Sequence, residues 1–300
     1  MPTTCVGIDE AGYGPTLGPL VIVGVAAAAS DLETLQAACA RCPLGVKDSK
    51  RLHVSGNIAP LESVALAALA WLGGRPPATA AELFTTCGED PADAALLPWL
   101  GEADGLCLPL RSRRIAEWSI PGVRPVQVRA RIVQPSRLND AMATGRNKAD
   151  LVLETVCRLL AGWAAASGRL HAVVDRLGGR HYYATALEDV LTDARCHQCE
   201  EGRGLSRYDF VSGEQHARIE FRVKADRDCI LTAMASCIAK YVREVHMQLF
   251  NRWWSRRRPD LAPTAGYPQD AARWLDRLGP ETLQSMARVL VRGPVYLETA

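Results

Sequence analysis

A chain of 300 residues, 48% of them hydrophobic, can bury a substantial core and fits one large domain or two modest ones. Its net charge of +2 names no partner by global electrostatics, although a basic groove on a nearly neutral protein is compatible with nucleic acid. No run of about 18 uncharged apolar residues is present, which argues against a membrane span, and residues 1–5 carry no basic segment of a signal peptide.

In chain order, residues 6–8 and 20–25 are short apolar runs flanking a Gly/Pro turn and read as paired strands. Residues 32–39 read as a helix and 45–52 (GVKDSKRL) as a polar connector. Residues 58–72 form an Ala/Leu-rich helix that the run GGRPP stops. From about 74 to 121 the pattern breaks up among Pro, Gly and Asp, as an inserted segment would. Val126, Val128, Ala130 and Ile132 then alternate as a half-buried strand. Val152, Val156, Leu159, Leu160 and Trp163 share one helical face, and residues 170–174 form a compact strand that delivers Asp175. Residues 184–191 read as helical, and 205–211 with 217–223 as a hairpin around Ser212 and Gly213. Ile230, Met234, Cys237, Tyr241, Val245 and Leu249 trace a long helix. Strands alternating with helices, plus a hairpin, predict an α/β protein with a mixed sheet.

Four acids stand out against this frame. Asp9 and Glu10 end an apolar strand just before the Gly-rich turn AGYGP, Asp175 ends another, and Asp226 ends the strand IEFRVKAD ahead of the long helix. Strand interiors tolerate Asp poorly, and the strand ends of α/β sheets are where sites are built. Clustered carboxylates repel one another unless cations neutralise them, and hard oxygen ligands select Mg²⁺ or Mn²⁺. Two such ions about 3.5–4 Å apart can activate water and stabilise the leaving oxygen of a phosphodiester. Taken singly, each acid could equally be a helix cap or a surface residue, Asp226 above all.

The segment GIDEAGYGPTLGPLVI resembles the first strand and turn of ribonuclease HII, in which a DEAG sequence precedes G-R-G-P. KDSKRL, VVDRL, KADRDCILTAMASCIAKYVRE and GYP at residues 266–268 resemble that family's further elements, in the same order. The resemblance implies a ribonuclease H-like sheet flanked by helices, in a catalytic domain of residues 1–250 with the insert at about 74–121 and a C-terminal helical extension over 251–300. It implies a metal-dependent endonuclease that hydrolyses the RNA strand of RNA–DNA hybrids or junctions, with two Mg²⁺ or Mn²⁺ ions on Asp9, Glu10, Asp175 and Asp226. Gly12, Tyr13, Gly14, Ser49 and Lys50 would meet the nucleic-acid backbone, and Tyr267 would stack on a sugar. A cytoplasmic monomer without membrane association is expected.

The sequence departs from the family pattern where substrate is read. G-R-G is G-Y-G at Tyr13, the late His-Lys is Thr264-Ala265, the C-terminal His-Arg is absent from SMAR at 285–288, and the N-I-L stretch is altered near Leu138 and Asn139. A diverged nuclease for another structured nucleic acid, or a catalytically weak nucleic-acid-binding protein, are the alternative readings. A dinucleotide-binding turn at Gly12 and Gly14 is disfavoured, because Pro15, Pro19 and a β-rich run follow instead of a helix. The pairs Cys39/Cys42 and Cys196/Cys199 could in principle hold zinc, yet scattered thiols in a reducing compartment account for the ten cysteines more simply. The run RWWSRRR at 252–258 suits phosphate contact, or equally a helix end whose tryptophans pack inward.

Overall fold

The computed structural model describes residues 2–41, 44–46, 52 and 57–293. The described residues form one seven-stranded sheet: β1 (Thr3–Ala11), β2 (Leu20–Ala29), β3 (Arg124–Val133), β4 (Arg169–Asp175), β5 (Arg195–Glu201), β6 (Leu205–Ser212) and β7 (Gln215–Arg222), in the order β3-β2-β1-β4-β7-β6-β5. The short Gly/Pro turn forces β1 and β2 antiparallel, and the β6–β7 turn does the same. The connection through helices leaves β4 parallel to β1, and β7 runs parallel to β4. The sheet is therefore mixed. Every residue of β2 is buried, which explains its unbroken LVIVGVAAAA run: a central strand covered on both faces has no polar side to present.

Helices α1 (Leu32–Arg41), α2 (Ala59–Gly73), α3 (Ala80–Thr86), α4 (Pro91–Ala94), α5 (Pro135–Ala143), α6 (Lys148–Ala166), α7 (Ala184–Glu188), α8 (Ala225–Asp228), α9 (Ile230–Arg257), α10 (Pro268–Leu278) and α11 (Pro280–Leu290) surround the sheet. Strand alternation divides the core in two. Cys5 and Ala11 of β1 pack on the side of α9, while Val6 and Ile8 pack on the side of α6 around Trp163. A side chain at Gly7 would place its Cβ 2.1 Å from the Thr232 nitrogen, so glycine there lets the backbone of α9 lie directly on β1.

Residues 74–121, expected as an insert, share the core of the sheet. Leu83, Phe84 and Trp99 are buried in the same core as α9, with Trp99 edge-on to Phe250 at 5.1 Å. Its far end is gripped by Glu62 of α2, which is 0% exposed and accepts the Leu110, Arg111 and Ser112 amides at 2.6, 2.7 and 2.6 Å.

Several elements differ from expectation. β7 stops at Arg222, and Asp226 sits instead in the short helix α8 after a two-residue turn at Val223 and Lys224. The helix expected over 184–191 shortens to α7, and the unassigned stretch after β3 forms α5, opened by Pro135. The Cys196 to Cys199 motif lies on the edge strand β5. Long helix α9 runs unbroken across residue 250 to Arg257. At its end Trp253 and Trp254 are buried while Arg256 pairs with Glu102 at 2.9 Å and Arg258 with Asp260 at 2.8 Å, so this run anchors the helix to its surroundings. Among the described residues no helix is long and apolar enough to cross a membrane.

Candidate active site

Asp9 and Glu10 immediately precede Ala11, the last residue of β1, and their side chains follow the pleat to opposite sides of the strand. Asp9 shares the parity of Cys5 and faces α9, where Ser236 donates to it; its Oδ1 also accepts the Glu10 amide at 2.8 Å. Burial, and then the charge of Asp175, push the Asp9 carboxyl up to about 7, with Asp226 adding a smaller repulsion. Glu10 is raised well above the ordinary range by burial and by the charges of Asp9 and Asp175, and among the described residues its buried Oε2 has no hydrogen-bond partner. Asp175 ends β4 and accepts the Ala225 amide at 2.8 Å, which ties the start of α8 to the strand end. The turn that carries Asp226 includes Lys224 at φ 58°, the left-handed region that costs a non-glycine residue about 1 kcal/mol.

Asp9 thus feels the charges of Asp175 and Asp226, and Glu10 those of Asp9 and Asp175, which links acids drawn from β1, β4 and α8. Among the described residues no group of three or more His, Cys, Asp or Glu side chains is arranged to hold a metal ion. The donor set nonetheless fits a hard divalent cation: carboxylates raised by burial and mutual repulsion, one oxygen buried without a partner.

Next to the acids, two loops meet. The Thr16 and Leu17 amides both donate to the Gly266 carbonyl at 2.8 and 3.1 Å, which sets the Gly12–Gly14 turn beside Gly266 and Tyr267. Gly12 has φ 89°, and a Cβ there would lie 2.6 Å from the Pro19 carbonyl oxygen, so glycine is required. Tyr13 and Tyr267 are 38% and 54% exposed, so Tyr267 is not a core residue. Arg243 of α9 lies under the Tyr267 ring at 5.4 Å and donates to the Ala265 carbonyl at 2.8 Å. Thr264, where charge was expected to be lost, is buried: its hydroxyl donates to Asp270 at 2.6 Å and its amide to Asn251 at 2.9 Å, closing a sealed turn. Ser49 and Lys50 lie outside the described residues.

Sequence reasoning missed Ser236, Lys148, Arg243 and Arg292. The first and third are polar positions on the buried length of α9, a signal available in the pattern; Lys148 and Arg292 reach the turn from 135 and 280 residues away, at Tyr13 and Gly12.

The family comparison falls on this same region. Residues 6–62 match the model of the Ribonuclease HII family. Over 47 residues the chain is 53% identical to Ribonuclease HII of Hyperthermus butylicus, and over 46 residues 54% identical to Ribonuclease HII of Thermococcus sibiricus. These stretches are 16% and 15% of this chain, and the chain spans only 17% and 18% of the length of those relatives. Among solved structures, that of the PCNA:RNase HII complex from Archaeoglobus fulgidus is 20% identical, with a TM-score of 0.49 over 96% of this chain and 93% of that one. The Bst-RNase HIII complex with Mn²⁺ is 17% identical, with a TM-score of 0.48 over 99% of this chain and 69% of that one. The chain resembles ribonuclease HII. The family-model match spans most of β1, all of β2 and α1, and the connection between β1 and β2, and so takes in Asp9, Glu10 and the Gly12–Gly14 turn.

Proposed function

We propose that this chain is a metal-dependent endonuclease that hydrolyses the RNA strand of RNA–DNA hybrids or RNA–DNA junctions. The observation that carries the reading is the buried, mutually repelling pair Asp9 and Glu10, with an unpartnered Glu10 oxygen, inside the stretch that resembles ribonuclease HII. Such a pair is costly unless a cation occupies it.

Asp9, Glu10, Asp175 and Asp226 are the residues that would hold Mg²⁺ or Mn²⁺. Two bound divalent ions would supply activation of water and stabilisation of the leaving oxygen. The chain's own groups set the rest. Ser236 and the Glu10 amide orient Asp9, and the Ala225 amide orients Asp175, so the ligands are held before any ion arrives. Tyr13 and Tyr267 offer exposed aromatic faces to sugars or bases beside a turn rich in backbone amides. The catalytic unit is read as residues 1–250, with 251–300 as an extension packed on it.

A second reading changes the substrate and keeps the chemistry. It is favoured by the sealed turn at Thr264 and by Tyr13, which leave fewer forked cationic donors facing outward than the family pattern has. One panel decides between them: cleavage, with and without divalent metal, of labelled RNA–DNA hybrid, duplex DNA, duplex RNA and a DNA duplex with one embedded ribonucleotide. Metal-dependent cutting of hybrid or of the ribonucleotide junction is expected. Cutting confined to duplex DNA or duplex RNA would establish the second reading, and no cutting of any substrate would leave a binding protein.

A further inference from the structure

Three cations converge on the Gly12–Tyr13–Gly14 turn, two of them, Lys148 and Arg292, from outside the segments that resemble ribonuclease HII. Arg292 donates from Nη1 to the Gly12 carbonyl and from Nε and Nη2 to the Gly18 carbonyl, the Nε bond being 2.6 Å. Lys148, at the start of α6, donates from Nζ to the Tyr13 carbonyl and lies 4.3 Å from the centre of the Tyr13 ring. Arg243 is 4% exposed, and its Nε, which has no hydrogen-bond partner among the described residues, would stand 3.1 Å from a Cβ placed on Gly12.

Peptide geometry turns these contacts into an orientation. In a trans peptide the C=O and the following N–H point in opposite directions. Anchoring the Gly12 and Tyr13 carbonyls on Arg292 and Lys148 therefore aims the Tyr13 and Gly14 amides away from those cations. Among the described residues neither amide donates a hydrogen bond, and a Cβ built on Gly14 would meet nothing within 4 Å, so the turn is uncrowded at Gly14. Two successive outward amides form an anion-binding concavity.

The charge balance asks for the same ligand. Among the described residues Arg292 is held by carbonyls alone, and burial together with the neighbouring Arg243 charge pulls its guanidinium down to about 9. Among the described residues the one acidic side chain paired with Arg243 is the partly exposed Glu244, at 4.0 Å. Paired buried cations are unfavourable unless an anion offsets them. The exposed rings of Tyr13 and Tyr267 on either side suit an anion that comes with sugars or bases.

We infer that Lys148 and Arg292 are positioning residues that set the Tyr13 and Gly14 amides to receive one backbone phosphate of the nucleic acid, a step that rests on the nucleic-acid reading above. Arg292 is itself placed by the contacts of the segment that follows α11. Leu17 bridges to Val291, the Arg292 amide donates to the Thr16 carbonyl at 3.0 Å, and buried Asn139 donates to the Val291 carbonyl at 2.8 Å.

The test is equilibrium binding of RNA–DNA hybrids with Ca²⁺ in place of the catalytic metal, using a set in which each backbone phosphate in turn is a neutral methylphosphonate. For wild type, one position in the set is expected to weaken binding about tenfold through this turn. In Arg292→Met and Lys148→Met, the unmodified hybrid binds about tenfold more weakly and that one position no longer matters, while other positions keep their effect. Arg292→Lys restores part of the loss. A merely structural role would weaken binding with the positional profile unchanged, and that result, or wild-type affinity in both Met variants, overturns the inference. Lys148 is only half-buried, so Lys148→Met carries the test if Arg292→Met does not fold. If wild type binds no hybrid at all, the nucleic-acid reading falls first and this inference with it.

Discussion

Asp9 and Asp175 leave neighbouring parallel strands at one level, each a single residue beyond the paired Ile8 and Val174. Residues at one level of a parallel ladder project to the same face. Both carboxylates therefore stand on the α9 side of the sheet, where burial and their mutual charge raise Asp9 to about 7. Without a cation that repulsion works against the fold. Asp9→Asn is expected to abolish cleavage and, in the presence of a chelator, to stabilise the protein by about 1 kcal/mol or more, or roughly 2–4 °C in Tm. Calorimetry in EDTA beside turnover in Mg²⁺ reads both effects. A lower Tm for the variant would refute the repulsive pair, and near-normal turnover would refute the ligand role.

Glu62 ties the insert to the core through four donors, the three amides of residues 110–112 and the Tyr241 hydroxyl at 2.7 Å. Burial opposes its ionisation, but these hydrogen bonds outweigh it and hold the carboxyl below the ordinary range. Replacing it with Gln removes the charge and turns one acceptor oxygen into a donor facing donors. Glu62→Gln should cost about 2–4 kcal/mol in urea unfolding, with proteolysis of the insert near residue 111 rising in parallel. A cost below about 0.5 kcal/mol would show that the insert is held by its apolar contacts alone.

The β1–β2 pair, α2, α6 and α9 were legible because each is a long apolar pattern with one period and a clear stop. Asp9, Glu10 and Asp175 were legible because acids interrupt apolar strands there. Asp226 was assigned to a strand end because IEFRV continues the β pattern, whereas the backbone turns at Val223 and Lys224 and leaves the acid on α8. Strand β5 was missed because RCHQCEE is polar throughout: an exposed edge strand has no buried face to mark it. The anchors of the Gly12–Gly14 turn could not be read at all. Lys148 and Arg292 are ordinary surface-type residues in sequence, and only chain folding over 135 and 280 residues gives them a partner.

Acid stability should carry the mark of Glu220. It is 2% exposed; Arg207 Nε donates to it at 2.9 Å, Arg222 Nε at 2.6 Å, and His171 lies 3.7 Å away. Burial alone would raise its carboxyl, but these partners outweigh burial and lower it to about 2. A depressed acid contributes stability that is complete above its unfolded value of 4.5 and is lost as pH falls toward about 2. The contribution is roughly 1–3 kcal/mol, reduced because both arginines are partly exposed to water. Chemical denaturation from pH 6 down to about pH 2 should therefore show a decline that Glu220→Gln flattens. An unchanged slope in the variant would remove Glu220 as its source.

Substrate discrimination should turn on Tyr13. An arginine at this position could grip a phosphate or 2′-hydroxyl with forked donors, whereas tyrosine offers one hydroxyl and a flat face. The guanidinium of Arg292 does not replace it outward, because its donors are spent on the Gly12 and Gly18 carbonyls behind the turn. Lys148 is likewise committed to the Tyr13 carbonyl and ring. Positive charge is thus present behind the turn while charged donors in front of it are fewer. The expected consequence is weak preference for a single embedded ribonucleotide over a long RNA–DNA hybrid. One charged hydrogen bond is worth about 1.5–3 kcal/mol, so Tyr13→Arg should raise that preference roughly ten- to a hundredfold in kcat/KM. The comparison requires kcat/KM on both substrates for wild type and variant. Wild type already strongly selective for the single ribonucleotide, with Tyr13→Arg leaving the ratio unchanged, would show that Tyr13 stacks on the sugar and performs the recognition itself.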